Sequence, residues 1–455
     1  MFDGWFKSLH HKSKVEPESE LPVAEITAHT EQRETVMAEN VTDDFDSIKL
    51  GIGRILLRQP VLNVSQQLIG FDIGLRTDPA VLIDPVMQQL SDETLVSCIT
   101  QLSVQSATGD RLIFVTMGSA MLSSPWVDML PSDHLVLAID ATQINSVVNL
   151  SEACRKKIEE GYRIAFDNLP DNTAEMAELA GLASYLRFDL RRYSALDLKS
   201  QIDALHGHCN AIIVARQVDI EDDYQAARAM GFDAMQGYYF AQVNPKLPHR
   251  IDSDRMRVME LLNMTAQHAE LFALEQAIKH DVLLSYRLLT YINSPLNALS
   301  KKLESIAQAL IFLGYDPLYR WLTLLLFAGG EDNTRDHTLL QNALVRARMA
   351  ELLGKTYLTA SDADSLFVVG MFSMLDVLLN MPMDQALEKL NLSDNMVRAL
   401  LQQRGPYAPY LRLTIGFENA DQAAVSALAT ALAMEPGTLN QIHMDAINWA
   451  MSLKS

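Results

Sequence analysis

Few side chains in this sequence have the types and spacing that chemistry demands. His280 and Asp281 stand side by side, and a His-Asp pair on a helix can ligate a divalent metal. Asp281, however, precedes Leu284, Leu288, Leu289 and Ile292, an apolar stripe at three- and four-residue spacing. That places it in the first turn of a helix, where the dipole favours a carboxylate. His337 in TRDHTLL has no second His at ligand spacing and reads as a surface residue. Cys98, Cys154 and Cys209 lie far apart with no CxxC pattern, and read as buried thiols in a reducing compartment. No nucleophile elbow, phosphate-cradling glycine run or HExxH occurs. The remaining polar groups lie within short apolar runs such as LIGFDIGL, RLIFVTM, YRIAFDN, YLRFDL and NAIIVARQV. Oxygen donors gathered at strand ends are what a hard divalent cation requires.

The elements that must position these groups follow from periodicity. RILLRQPVLN, LIGFDIGL, RLIFVTM, HLVLAID, YRIAFDN, YLRFDL and NAIIVARQV are β-rich runs. Amphipathic stretches such as Ser151 to Glu160 and Asn172 to Gly181 lie between several of them. Strand-helix alternation predicts parallel strands with covering helices, and seven or so units over some 200 residues suit a closed barrel. Pro245 and Pro248 mark a break. From about Asp252 the strand signal vanishes, and helices are predicted through Ser305 to Leu313, Leu318 to Phe327, Leu339 to Leu353 and Leu366 to Leu379. Asp281, Ser305, Ser361 and Ser393 are predicted caps.

Composition bounds the rest. The chain has 455 residues, enough for two or three cored domains. A net charge of −20 with no Lys/Arg cluster opposes a nucleic-acid surface. No apolar run reaches membrane-span length, and charged residues break up the first fourteen positions, so a cytoplasmic protein is expected. Phe2, Trp5, Phe6 and Leu9 would share one helix face, while residues 15 to 46 are acidic and poor in large apolar groups. The organisation predicted is a disordered acidic tail over 1–48, an α/β barrel over 49–248 and an all-α domain over 250–455.

RQPVLN near the start and GFDAMQGYYFAQ at the end of the barrel region resemble the EAL family, with IGFDIGLR where that family has its signature Glu-Ala-Leu-x-Arg stretch. The second half, reading KHDVLLSYRLLTYINSP and SIAQALIFLGYDPLYRWLTLLLFA, resembles HDOD domains. The EAL resemblance implies a barrel that hydrolyses cyclic di-GMP with bound metal ions. Taken position by position, it puts Asp72 at the signature Glu, one methylene short, and Thr116 at a metal-binding Asn. It puts Ala138 at a liganding Glu, and Asp167 and Asn168 at an Asp-Asp pair. Arg187 falls at the catalytic Lys, Arg216 at a late Glu and Gln217 at a neighbouring Lys. Arg76, Asp167, Asp189 and Gln236 survive as possible ligand-binding remnants. Ala138 offers no ligand atom, Arg216 sets a cation where a metal belongs, and Arg187 cannot act as a base. The HDOD resemblance implies an erased metal site, with Ser373 and Met374 in VVGMFSMLD where an HD enzyme carries His-Asp; Met374 cannot ligate a hard cation.

The expectation is therefore no enzyme activity, no metal and no cofactor. Such architectures imply a signalling role through protein partners in a cyclic di-GMP-related, motility or biofilm pathway. The alternative is a cyclic di-GMP receptor without hydrolysis, in which Arg76 forks onto a phosphate and Gln236 meets a guanine edge. Arg187 and Arg216 either attract an anion or pair with Asp167 and Asp189. Tyr315, Tyr319 and Arg320 are the expected partner surface.

Overall fold

The structure, a computed structural model, describes residues 55–76, 85–101, 111–141, 147–169, 173–244, 249, 251–294, 302–328, 334–419 and 421–453. The tail over 1–48 with its aromatic segment, and Pro245 and Pro248, lie outside the described residues.

Eight strands close into one barrel in sequence order: β1 (Ile55–Asn63), β2 (Leu68–Arg76), β3 (Leu112–Met117), β4 (Leu135–Asp140), β5 (Arg163–Asp167), β6 (Tyr185–Asp189), β7 (Ile212–Arg216) and β8 (Ala234–Gln236). Strands β2 to β8 run parallel, as strand-helix alternation predicts. The first strand departs from that expectation, because β1 is antiparallel to both β2 and β8. The cause is local: only a tight turn joins β1 to β2, and a parallel pair needs a crossover of a dozen residues or more. Asn63 builds the turn, its Oδ1 accepting the backbone N–H of Ser65 and of Gln67 at 2.9 Å each.

Alternation along the strands sorts the side chains. Phe114, Val136, Ala138, Ala165, Tyr185, Val214 and Ala234 fill the barrel interior, while Ile113, Val115, Leu137 and Ile164 belong to the core under the outer helices. Asp72, Thr116, Asp167, Arg187, Arg216 and Gln236 share the inward parity near the strand C-termini. The pattern that packs the interior thus also aims these groups at the barrel mouth.

The remaining chain is helical, from Ser253–Ala266 to Pro436–Ser452. Trp321, Phe327, Phe367, Phe372 and Phe417 are its largest fully buried side chains. The long helix Thr334–Tyr357 packs closely on Ala360–Phe372, where Gly370 lies so near that a Cβ would sit 2.5 Å from the Cα of Ala347. Asp281 caps its helix by accepting from the N–H of Leu284, and Ser305 accepts from that of Gln308. Ser393 holds an N-cap position without a side-chain bond. The predicted cap Ser361 is displaced by Thr359, whose hydroxyl accepts from the N–H of Asp362 and starts the helix two residues earlier. The helix predicted over Leu366 to Leu379 is two, Ala360–Phe372 and Leu375–Leu379, broken at Ser373 and Met374.

The two parts meet along β1. Ile55 packs in a core cluster with Met349, Leu353 and Phe417, and Arg58 donates to Asn342 Oδ1 at 2.9 Å. Asn244 and Asn380 exchange two hydrogen bonds, of 2.8 and 2.9 Å. Among the described residues no single helix is long and apolar enough to cross a membrane.

Candidate functional site

The inward polar residues converge into one closed network. Arg187 grips Asp167 with two parallel bonds, Nε to Oδ1 at 2.5 Å and Nη2 to Oδ2 at 2.8 Å. Its Nη2 also donates to the Thr116 hydroxyl at 2.7 Å, and its Nη1 lies 3.3 Å from Asp72 Oδ1. Arg216 donates from Nη1 to Asp167 Oδ2 at 2.6 Å and from Nε to Gln236 Oε1 at 3.2 Å. The Gln236 amide in turn donates to Asp72 Oδ2 at 2.7 Å and to Gln59 Oε1 at 2.9 Å. Arg187, Asp167 and Gln236 are each 1% exposed, so the two charges and the amide are buried and survive only as a matched set. Burial pushes the Asp167 carboxyl up, but Arg187 and Arg216 outweigh it and hold the group below the ordinary carboxylate range. For Arg187, burial works against the charge and Asp167 and Asp72 outweigh it, so the guanidinium stays protonated.

The predicted site residues fare unequally. Asp72, Thr116, Asp167, Arg187, Arg216 and Gln236 come together. The expected pairing of the arginines with Asp189 is corrected: their partners are Asp167 and Asp72. Asp189 turns aside to cap the next 3-10 turn, accepting from the N–H of Arg191 at 3.0 Å. Arg76 closes β2 opposite Ile55, and its side chain lies outside the described residues. Asn168 is buried in a left-handed conformation (φ 52°), which Asn tolerates better than most residues, and its N–H donates to the Arg187 carbonyl. Ala138 lies fully buried below the network. Gln59 was not singled out in the sequence, although it lies within RQPVLN and closes the network from β1.

The donor set does not fit the divalent ions that the EAL resemblance implies. Both oxygens of Asp167 are taken by guanidinium, Ala138 has no ligand atom, and two arginines stand in the ring of strand ends. Among the described residues no group of three or more His, Cys, Asp or Glu is placed to hold a metal ion. Above the network the mouth opens into a cavity of about 1130 Å³, walled by Gln59, Asp92, Asp140, Arg216, Gln217 and Asn419 among others. Arg191 at its rim pairs with Asp219 at 3.2 Å. Burial pushes the Asp92 carboxyl up to about 6, against the bond it accepts from the N–H of Gly118.

In the helical domain the positions compared with an HD pair are again met by an arginine. Arg346 donates to Ser373 Oγ at 3.0 Å and pairs with Glu418 through Nε at 2.5 Å and Nη2 at 3.2 Å. Met374 is 1% exposed and fills core volume. The expected partner surface is corrected too. Tyr315 is half-buried and donates its hydroxyl to the Ala269 carbonyl at 2.8 Å. Tyr319 is half-buried and packs against the core. Arg320 forks onto Glu351 at 3.0 Å twice and lies 3.6 Å over the Phe367 ring. Helical periodicity turns them inward, while Phe272, Val282, Tyr286, Ile311 and Phe312 are among the exposed large apolar side chains on the neighbouring helices.

The closed eight-stranded barrel followed by a helical domain agrees with the EAL and HDOD resemblances of the two halves. Residues 250–400 match the HDOD domain family. The chain is similar to the uncharacterized protein YuxH of Bacillus subtilis (strain 168), 24% identical over 404 residues, covering 87% of this chain and 98% of that one. It is equally similar to the cyclic di-GMP phosphodiesterase CdgJ of Vibrio cholerae serotype O1, 24% identical over 405 residues, covering 87% and 92%. Among solved structures, the Bacillus subtilis YkuI protein with an EAL domain, in complex with c-di-GMP and calcium, is 16% identical, covering 60% and 74% with a TM-score of 0.37. The EAL domain of FimX from Pseudomonas aeruginosa bound to c-di-GMP is 16% identical, covering 45% and 94% with a TM-score of 0.35.

Proposed function

We propose that this chain is a non-catalytic signalling protein of a cyclic di-GMP-related pathway, controlling motility or biofilm formation through protein partners. Its main support is the ion-pair network of Arg187, Arg216, Asp167 and Asp72, which fills the barrel mouth where hydrolysis needs metal-bound water. A guanidinium neither ligates a cation nor accepts a proton, so this set holds a folded surface rather than a reaction centre. Widely spaced cysteines suit a reducing cytoplasm as its place of work. The partner surface is sought on the HDOD domain, at the exposed Phe272, Tyr286, Ile311 and Phe312, where aromatic and apolar groups gain most from burial.

The test incubates full-length protein with cyclic di-GMP and Mg²⁺ or Mn²⁺ and separates the products. No turnover above that of an Arg216→Ala variant is expected; clear turnover by the wild-type chain refutes the proposal. A second reading, a receptor that binds cyclic di-GMP without cleaving it, is favoured by the open cavity of about 1130 Å³. Calorimetric titration with the dinucleotide separates the two, because the partner-only reading expects no saturable heat.

A further inference from the structure

A second, much smaller cavity of about 20 Å³ lies between the domains. Arg58 and Tyr238 line it from the barrel, and Asn342, Phe417, Glu418 and His443 from the helices. Arg58, Asn342 and His443 are each more than nine-tenths buried, at 7%, 4% and 5% exposed. Each also has a buried polar atom with no hydrogen-bond partner: Nη1 of Arg58, Nδ2 of Asn342 and Nδ1 of His443.

Neighbours fix the chemistry of two of these atoms, and the tautomer of His443 decides the third. Arginine only donates, and Arg58 Nη2 donates to Asn342 Oδ1 at 2.9 Å. That contact sets the amide orientation, so the unpartnered Nδ2 is a donor. The His443 ring packs 5.0 Å from that of Phe417 and is held neutral, since burial and then the Arg58 charge pull its pKa down to about 3. A neutral imidazole can carry its proton on Nδ1, making a third donor. Charge points the same way. No described carboxylate pairs with Arg58, whose guanidinium stacks 4.2 Å from the Phe71 ring. Burial lowers its pKa to about 10, although Tyr238 and Glu418 act in the opposite sense. Glu418 is already taken through both oxygens by Arg346, whose charge Asp376 also offsets, while Arg111 adds positive charge near Arg58; Arg58 is left without a carboxylate of its own.

We propose that this cavity is a binding site for one small monovalent anion of halide size, held between the domains by Arg58 Nη1, Asn342 Nδ2 and His443 Nδ1–H. The volume exceeds the ~10–15 Å³ that one water-sized species needs and is too small for sulfate or phosphate. A water molecule satisfies the same atoms but leaves the Arg58 charge unmatched. Occupancy ties the barrel mouth to the HDOD domain. Arg58 precedes Gln59, which closes the mouth network, and Tyr238 lines both cavities.

Crystals of the full-length protein soaked in bromide test this directly. An anomalous peak at the three donors is expected, and an ordinary water peak without anomalous signal overturns the proposal. Melting of the full chain in chloride, bromide and gluconate at matched ionic strength is the second measurement. The halides are expected to raise Tm by about 1–3 °C in a saturable way, and the rise is expected to vanish in Asn342→Leu and in Arg58→Met. Equal melting in all three salts overturns the proposal without needing either variant to fold.

Discussion

Replacing Arg187 by Met tests whether the barrel mouth is held by its charges. The substitution keeps much of the side-chain volume but removes two bonds to Asp167, one to Thr116 and the contact with Asp72. Breaking a buried pair by deleting one partner costs about 3–5 kcal/mol, because the other charge stays buried. Asp167 keeps its 2.6 Å bond to Arg216, so the lower end, about 3 kcal/mol, is expected. At typical unfolding entropies that is a Tm loss of roughly 3–4 °C if the whole chain melts as a unit, and about 7 °C if the barrel melts alone. The deficit is pH-dependent. In the wild-type chain Asp167 has a depressed pKa, so its contribution is present at neutral pH and lost as pH falls through the folded value. Without Arg187 its pKa rises, and protonation on acidification relieves the penalty. The gap between variant and wild type is therefore widest at pH 7 and narrows toward pH 4. Urea unfolding followed by tryptophan fluorescence at several pH values measures it. A variant as stable as wild type at pH 7, or a gap independent of pH, refutes the reasoning.

Asp92→Asn is expected to stabilise the chain at pH 8 by about 1–2 kcal/mol and to change little at pH 4. The folded pKa of about 6 lies above the unfolded value, so above pH 6 the folded chain carries a buried ionised carboxylate at a cost the unfolded chain does not bear; equal effects at both pH values in denaturant titrations contradict this. Gly370→Leu should abolish the native fold of the helical domain, since even a Cβ meets the Ala347 backbone at 2.5 Å, and near-wild-type helical melting by circular dichroism counts against that packing. Arg320→Ala should lower stability by about 2–3 kcal/mol, because Glu351 loses a bidentate partner and Phe367 a stacked guanidinium. An unchanged denaturation midpoint would mean that Arg320 is a surface residue after all.

Much of the fold was legible because strand and helix periodicities differ so sharply. Runs such as HLVLAID and YRIAFDN announce buried parallel strands, and the loss of that signal near Asp252 marks the helical half. The reversed β1 was not legible, since its apolar content matches that of the parallel strands and direction depends on a turn of a few residues. For the site, parity along the strands brought the right groups to one mouth, but pairing was decided by register. Asp167 lies beside Arg187 across β5 and β6, whereas Asp189, although level with Arg216 across β6 and β7, spends its carboxylate on the N–H of Arg191. The interdomain donors were not legible at all. Arg58, Asn342 and His443 are 101 to 385 positions apart, and no local pattern predicts their meeting.

The antiparallel β1 also shapes how the molecule is made. Its partners are β2, a few residues away, and β8, whose Gln236 pairs with Val61. The cylinder therefore cannot shut during translation until almost the whole barrel sequence has left the ribosome. The helices that cover Ile55 emerge later still. A nascent chain of this length carries an unsealed seam and an uncovered apolar strand for many seconds at bacterial elongation rates of about 5–20 residues per second. Chaperone demand should therefore peak between emergence of β8 and arrival of the helix Ala408–Glu418.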